Sequence, residues 1–331
     1  MKKILFAVLA LAALVSCTND QTLDVSKQAI GFGNIFVDNA TRIIDTTYDD
    51  DTFVDSFQVW GTVQGNYDGA EVVPIFEGAT VSRPTGLSGY NPEEEWECSE
   101  VRYWAPNATY EFVAVVDGGL RRIDNGLYNL VCNDIPGQKD VLWATATVTT
   151  DENANPSTPI VAFTFNHALA KAFFTFKTKA AFATEDYTYE ISDIKFKSAY
   201  TRGENTIGTN GWIIDGEPGT QAPLSFGAAV TLAPSKAEPV STTSEYARVF
   251  IPSANMNVSF TVSMKFKGSV ISKKDYQFGV FPSVENKRAQ AGHQYNFVVE
   301  FTESNQVKFS VSDVTDWING DAANGDSITL Q

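Results

Sequence analysis

Two histidines, two short acidic runs, six tryptophans and two internal cysteines are the groups in this chain best placed to do chemistry. His167 lies in Phe165-Asn166-His167-Ala168-Leu169-Ala170-Lys171, and His293 follows Gly292 at the start of an alternating run. Neither has a Cys, a second His or a carboxylate at the spacing a metal centre needs, so both read as structural residues at strand ends. Asp49-Asp50-Asp51 and Glu93-Glu94-Glu95 attract cations but lack the Gly-containing loop of a dedicated calcium site, and read as solvated charge. Trp60, Trp96 and Trp104 have rings able to stack on sugars, although core packing is the commoner use of tryptophan in β-proteins. Cys98 and Cys132 form a disulfide or stay as two buried thiols, and the sequence leaves both readings open. No GxSxG, HExxH, phosphate-binding loop or dinucleotide fingerprint occurs. The inventory predicts no catalytic residue, no metal and no cofactor, and hence no enzyme.

The elements that carry these residues read as β-strands. Val258, Phe260, Val262, Met264 and Phe266 alternate with Ser259, Thr261, Ser263, Lys265 and Lys267, the period-two pattern of a half-buried strand. Tyr295 to Phe301, Val307 to Val311 and Phe112 to Val116 repeat it. In Tyr187 to Phe196 the phase slips, and a bulge near Ser192-Asp193 explains the slip. No long segment keeps a helical period. Short strands between Gly, Pro, Asn and Asp turns predict an all-β fold of sandwiches or barrels. Asp151 to Pro159 is polar, holds two prolines and reads as a linker between two domains, residues 17–150 and 160–331. Ala199 to Gly219 and Lys236 to Ser244 read as loops.

The start of the chain predicts export. Lys2 and Lys3 precede an apolar run, Ile4 to Val15, that is shorter than the roughly 20 residues needed to span a bilayer. Leu14-Val15-Ser16-Cys17 resembles the lipobox of bacterial lipoprotein signal peptides, with residues 1–16 removed and Cys17 acylated. Removing Lys2 and Lys3 from 24 basic residues leaves 22 against 40 acidic ones, a net −18. That surface repels nucleic acid and anionic headgroups and suits a body held off a membrane by its lipid.

Six segments in order carry a wider resemblance. They are Ser56-Phe57-Gln58-Val59-Trp60-Gly61, Tyr103-Trp104-Ala105-Pro106 with Tyr110 to Ala114, and Asp140-Val141-Leu142-Trp143-Ala144. Phe165 to Lys171, Ala291-Gly292-His293-Gln294-Tyr295-Asn296-Phe297 and Val314-Thr315-Asp316-Trp317 follow. Together they resemble the fimbrillin-like lipoproteins of Gram-negative gut and oral anaerobes, the group of major and minor fimbrium subunits, anchors and tip proteins. The resemblance implies two tandem transthyretin-like β-sandwich domains, outer-membrane lipoprotein export and a place at the cell surface. It implies a stalk, anchor or tip subunit of a fimbrium, whose partners are other subunits, the bilayer through Cys17, and a host or bacterial surface ligand. The alternative is a surface lipoprotein that binds glycan or protein and never polymerises.

In polymerising relatives a trypsin-like protease cuts after an Arg, removes the first strand, and opens a groove that a neighbour's strand fills by β-strand addition. Here the matching strand is Gln28 to Asn39 and the matching cut lies between Arg42 and Ile43. Alternation puts Ile30, Phe32 and Phe36 on one face of that strand and Ile35 and Val37 on the other. Asp326 to Gln331, with Ile328 and Leu330, is either a donor strand or a terminal strand that folds back onto its own domain.

Cys17→Ala is expected to abolish acylation and shift the protein from the membrane to the soluble fraction on cell fractionation, because the lipid is the expected anchor. Unchanged membrane partition contradicts the lipoprotein reading.

Overall fold

The computed structural model describes residues 28–37, 54–84, 95–123, 128–132, 140–179, 181–182, 185–200, 202–207, 211–214, 223–280, 288–302, 307–314 and 327–330. Among them every regular element is a strand, as the alternating patterns predict. The first nine are β1 (Phe32–Val37), β2 (Ser56–Gly65), β3 (Val72–Ser82), β4 (Glu95–Cys98), β5 (Ala108–Val116), β6 (Gly119–Arg122), β7 (Tyr128–Cys132), β8 (Leu142–Thr149) and β9 (Val161–His167). Seven of these close on themselves in the order β1-β4-β3-β2-β5-β8-β9, with β1 joining the two ends. Their inward faces bury Phe57, Val59, Phe76, Phe112, Ala114, Phe163 and Phe165. The resemblance implies a two-sheet sandwich at this point. Hydrogen bonding instead runs around a full circuit, which leaves no sheet edge between β9 and β4.

The remaining strands are β10 (Ala170–Thr178), β11 (Tyr187–Phe196), β12 (Gly203–Thr206), β13 (Trp212–Ile214), β14 (Leu224–Ser225), β15 (Val230–Leu232), β16 (Ser241–Thr243) and β17 (Arg248–Phe250). Then come β18 (Met256–Phe266), β19 (Ser269–Val280), β20 (Gln294–Phe301), β21 (Val307–Val314) and β22 (Ser327–Leu330). One sheet runs β16-β10-β20-β21-β22 with β17 beside β10, and another runs β14-β11-β18-β19 with β15 beside β11. They bury one core of Phe174, Phe176, Phe196, Phe226, Phe260, Phe297 and Phe309, the arrangement of a β-sandwich. The expected bulge in β11 is present: Asp193 has φ 57 and the register with β18 shifts between Ser192 and Lys195.

Asp151 to Pro159, expected as an interdomain linker, is an ordered turn between β8 and β9. Asp151 Oδ1 accepts the N–H groups of Asn153 and Asn155 at 2.8 and 2.9 Å, and Thr150 bridges Pro156. A polar, proline-bearing stretch marks a turn as readily as a linker. After it, β9 returns to pair with β1 and β8 in the first core. We therefore place the passage between the two bodies at Ala168-Leu169, which separates β9 from β10.

That passage is packed. Ala168 and Leu169 share a third core with Val115, Leu130, Cys132 and Val141 on one side and Val249 and Ile251 on the other. A small sheet of order β13-β12-β7-β6 braces it, and its central ladder joins β7 of the first half to β12 of the second. Part of the segment read as a loop over 199–219 is thus a hairpin docked across the junction. Gly203 lets the two strands of that hairpin lie close, because a Cβ there would meet the Ile213 carbonyl oxygen at 2.9 Å. Similarly, β16 lies inside the segment read as a loop over 236–244 and pairs with β10.

Candidate functional site: the seat of the first strand

The segment Ile30 to Ile35 lies in the first core with its apolar side chains fully enclosed. Ile30, Phe32 and Ile35 are each no more than 5% exposed. The Phe32 ring stands edge-on to Phe57, Phe76 and Phe112 at centroid distances of 6.4, 5.6 and 6.0 Å, and stacks on Phe163 at 6.1 Å. Room for this cage comes from Gly61 on β2, where any Cβ would sit 2.9 Å from the Phe112 ring and 3.2 Å from Phe76. That explains the glycine closing the Phe57-to-Gly61 segment. Trp104 completes the same wall, edge-on to Tyr110 at 4.7 Å, and the Tyr110 hydroxyl accepts the Ala105 N–H. Trp96 and Trp104 are therefore core residues, each 5% exposed, and Trp60 is half-buried against the junction core.

The backbone of β1 is held on both sides. It runs parallel to β9 from Phe32↔Val161 to Val37↔Phe165, and antiparallel to β4 at Phe32↔Trp96 and Gly33↔Glu95. Just before it, Ile30 N–H bonds the Arg102 carbonyl and Trp104 N–H bonds the Gln28 carbonyl. The ladder with β9 shifts between Gly33 and Ile35, at Asn34, whose φ is 50. This bulge corrects the expected face assignment. Strict alternation sends Phe32 and Ile35 to opposite faces, but the extra residue at Asn34 restores Ile35 to the core side. Asn tolerates the left-handed region at modest cost, so the sequence carried a signal at this position.

Of the other singled-out residues, Cys17, Arg42 and Ile43 lie outside the described residues. Cys98 and Cys132 are not brought together. Cys98 packs against the first core beside Val81, Cys132 is buried in the junction core beside Gly203, and each is a thiol rather than half of a disulfide. His293 is partly exposed, with Nδ1 3.0 Å from the Ala291 carbonyl oxygen, and leads into β20 after Gly292. Ile328 and Leu330 fall in β22, which pairs with β21 of its own chain.

His167 has a partner the sequence did not reveal. Its Nδ1 contacts Asp140 Oδ2, with side-chain exposures of 11% and 21%. Asp140 Oδ1 is buried and has no hydrogen-bond partner among the described residues. Burial pushes the Asp140 carboxyl above the usual carboxylate range, against the pull of His167 and Lys171. Burial likewise pushes the Lys171 ammonium below its usual range, with Asp140 opposing. Three of the six resemblance segments meet here: Asp140 and Val141, His167 to Lys171, and Gly292-His293. Ala168 N–H bonds Val141 O, Gly292 N–H bonds Leu169 O, and Lys171 N–H bonds His293 O. Among the described residues no three His, Cys, Asp or Glu side chains are grouped to hold a metal ion. Asp140, His167 and Lys171 thus form a largely enclosed ionisable cluster at the junction.

The sequence profile described as fimbrillin-like matches residues 41–317 of the 331. The chain belongs to the fimbrillin-like family. That membership places it among adhesive or fimbrial proteins of the cell surface. A search of the curated proteins finds no match. Among solved structures, this fimbrillin-like chain is similar to a candidate cell adhesion protein from Bacteroides uniformis at 19% identity and TM-score 0.47, covering 87% of this chain and 98% of that one. A candidate cell adhesion protein from Bacteroides ovatus aligns at 16% identity and TM-score 0.45, over 89% and 99% of the two chains. A fimbrial protein from Bacteroides ovatus aligns at 12% identity and TM-score 0.34, over 83% and 50%. These overlaps are distant, and the family assignment rests on the profile match.

The Asp140 site predicts a pH dependence with a definite sign. A carboxyl whose folded-state pKa is raised binds its proton more tightly folded than unfolded. Its stabilising contribution is complete below the unfolded value near 3.9 and is lost as pH rises through the folded value. In urea denaturation from acid to neutral pH, the parent is expected to lose stability relative to Asp140→Asn as pH rises. The limiting slope is about 1.4 kcal/mol per pH unit. A difference that stays flat, or grows with pH, contradicts the burial argument.

Proposed function

We propose that this chain is a structural or adhesive subunit of a cell-surface fimbrium, exported as an outer-membrane lipoprotein through Cys17 and assembled by β-strand addition. On this reading the two cores belong to the two transthyretin-like domains of such a subunit, the sheets of the first being joined into a circuit by β1. The observation that carries the reading is the seat of β1. A short N-terminal strand supplies the central ring of an aromatic core and closes a sheet that is otherwise open between β9 and β4. A strand that completes a sheet in this way can be exchanged for another chain's strand, because the main-chain ladder and the pockets accept any extended segment of matching pattern.

Cleavage between Arg42 and Ile43 is the expected trigger. It severs β1 from β2, so that only hydrogen bonds and the burial of Ile30, Phe32 and Ile35 retain the strand. The alternative, a non-polymerising surface lipoprotein that binds glycan or protein, draws on a different observation. β22 pairs with β21 in its own sheet, from Phe309↔Leu330 to Ser312↔Ser327, and is not displayed as a donor.

Digestion with a trypsin-like protease is expected to cut after Arg42 and turn monomers into oligomers, or into aggregates where no donor is present. Size-exclusion chromatography with light scattering reads the change. Arg42→Ala is expected to block it while leaving the unfolding free energy within about 0.5 kcal/mol of the parent. A chain that is fully cut after Arg42, yet stays monomeric and equally stable, supports the non-polymerising alternative.

A further inference from the structure

Among the described strands only two pairings are parallel, β1 with β9 and β10 with β20, and all the others are antiparallel. The two parallel ladders are linked by the shortest route the chain offers. β9 ends at His167 and β10 begins at Ala170. From Val161 to Thr178 the two strands follow each other with a bend at Leu169, a run of about 60 Å if fully extended at about 3.3 Å per residue.

Strand direction sets how this run responds to force. β1 starts beside the start of β9, at Phe32↔Val161, while the second body hangs from the other end of β9. Pulling the N-terminal end of β1 away from the second body makes two parallel strands slide past each other, so every bond in the ladder is strained at once. β10 is gripped the same way. Force enters at its N-terminal end and leaves at the far end of β20, after eight register pairs from Lys171↔Gln294 to Thr178↔Phe301. The Lys177–Glu300 ion pair, at 3.6 Å, sits at that far end. The junction does not act as a loose joint, because the third core and the β7–β12 ladder brace it.

We propose that β9 and β10 form a tension-bearing spine, which carries pulling force across the subunit through two parallel ladders loaded in shear. Such a spine has a use only if the chain stands in a fibre or tether, so its role rests on the reading above: in an uncut tether β1 itself bears the load, and in a fibre the strand that replaces β1 must take up the same parallel ladder with β9. The β1–β9 ladder is the weaker of the two, with five register pairs interrupted by the Asn34 bulge. It yields first, and the Phe32 cage sets its strength.

Single-molecule force spectroscopy on the mature chain tests this, with azide-bearing residues as handles so that Cys98 and Cys132 stay untouched. One handle replaces Ala29, exposed just before β1. The second replaces either Lys308, exposed and paired with Glu300 at the far end of β20, or Thr158, exposed just before β9. The first pair of handles shears β1 from β9. The second pair peels it, so that the bonds break one at a time. Forced release follows the unfolding rate under load, and β1 is expected to leave at roughly twofold or higher force in shear than in peel. Phe32→Ala is expected to lower the first rupture force in shear and leave the later rupture of the second body unchanged. Equal release forces in the two geometries overturn the spine, even if Phe32→Ala fails to fold. That result leaves the Arg42 experiment, and the fimbrial reading it tests, standing.

Discussion

The first body depends on one aromatic ring held in place from outside the continuous part of its sheet. Phe32 fills the space between Phe57, Phe76, Phe112 and Phe163, and the strand carrying it hydrogen-bonds to β9 and β4. Replacing a fully buried Phe by Ala costs about 3–5 kcal/mol, and each aromatic pair adds roughly 0.5–1.5 kcal/mol beyond area burial. A backbone hydrogen bond contributes a net of only about 0.5–1.5 kcal/mol. The cage therefore retains β1 more than any single rung of the ladder does. The same figures explain why exchange is conceivable. An incoming strand with a suitable ring recovers most of what the outgoing strand gave up.

The junction follows a different logic. Around Ala168-Leu169 the chain buries apolar residues from both halves and sets the partly buried Asp140, His167 and Lys171 beside them. Buried ion pairs rarely add net stability, since desolvation offsets their attraction. Breaking one is costly, because the remaining charge is left in a poor solvent. Such a set fixes geometry more than it adds free energy. Here it fixes how the segments around Asp140, Ala168 and His293 pack, and the β7–β12 ladder braces the same junction.

Much of this was legible in the sequence, for reasons that differ from place to place. Alternation located β18, β20 and β11, down to the bulge at Asp193, because a strand half-buried on one face must alternate. The same rule misplaced Ile35, since a single left-handed residue resets the phase and alternation cannot announce it. Asp151 to Pro159 looked like a linker because turns and linkers draw on the same residues, and only the pairing of β9 with β1 separates them. The Asp140–His167 contact joins residues 27 positions apart through a tertiary approach that no local spacing encodes.

The most direct test of the account uses β1 as a separate piece. A chain starting at Ile43 is purified alone and then mixed with a synthetic peptide of residues 28–39, and thermal unfolding is followed by circular dichroism. The account predicts that the shortened chain melts well below the intact protein, that the peptide restores the transition, and that a Phe32→Ala peptide does not. If the shortened chain melts with the intact one, or both peptides act equally, Phe32 is not what the first body depends on.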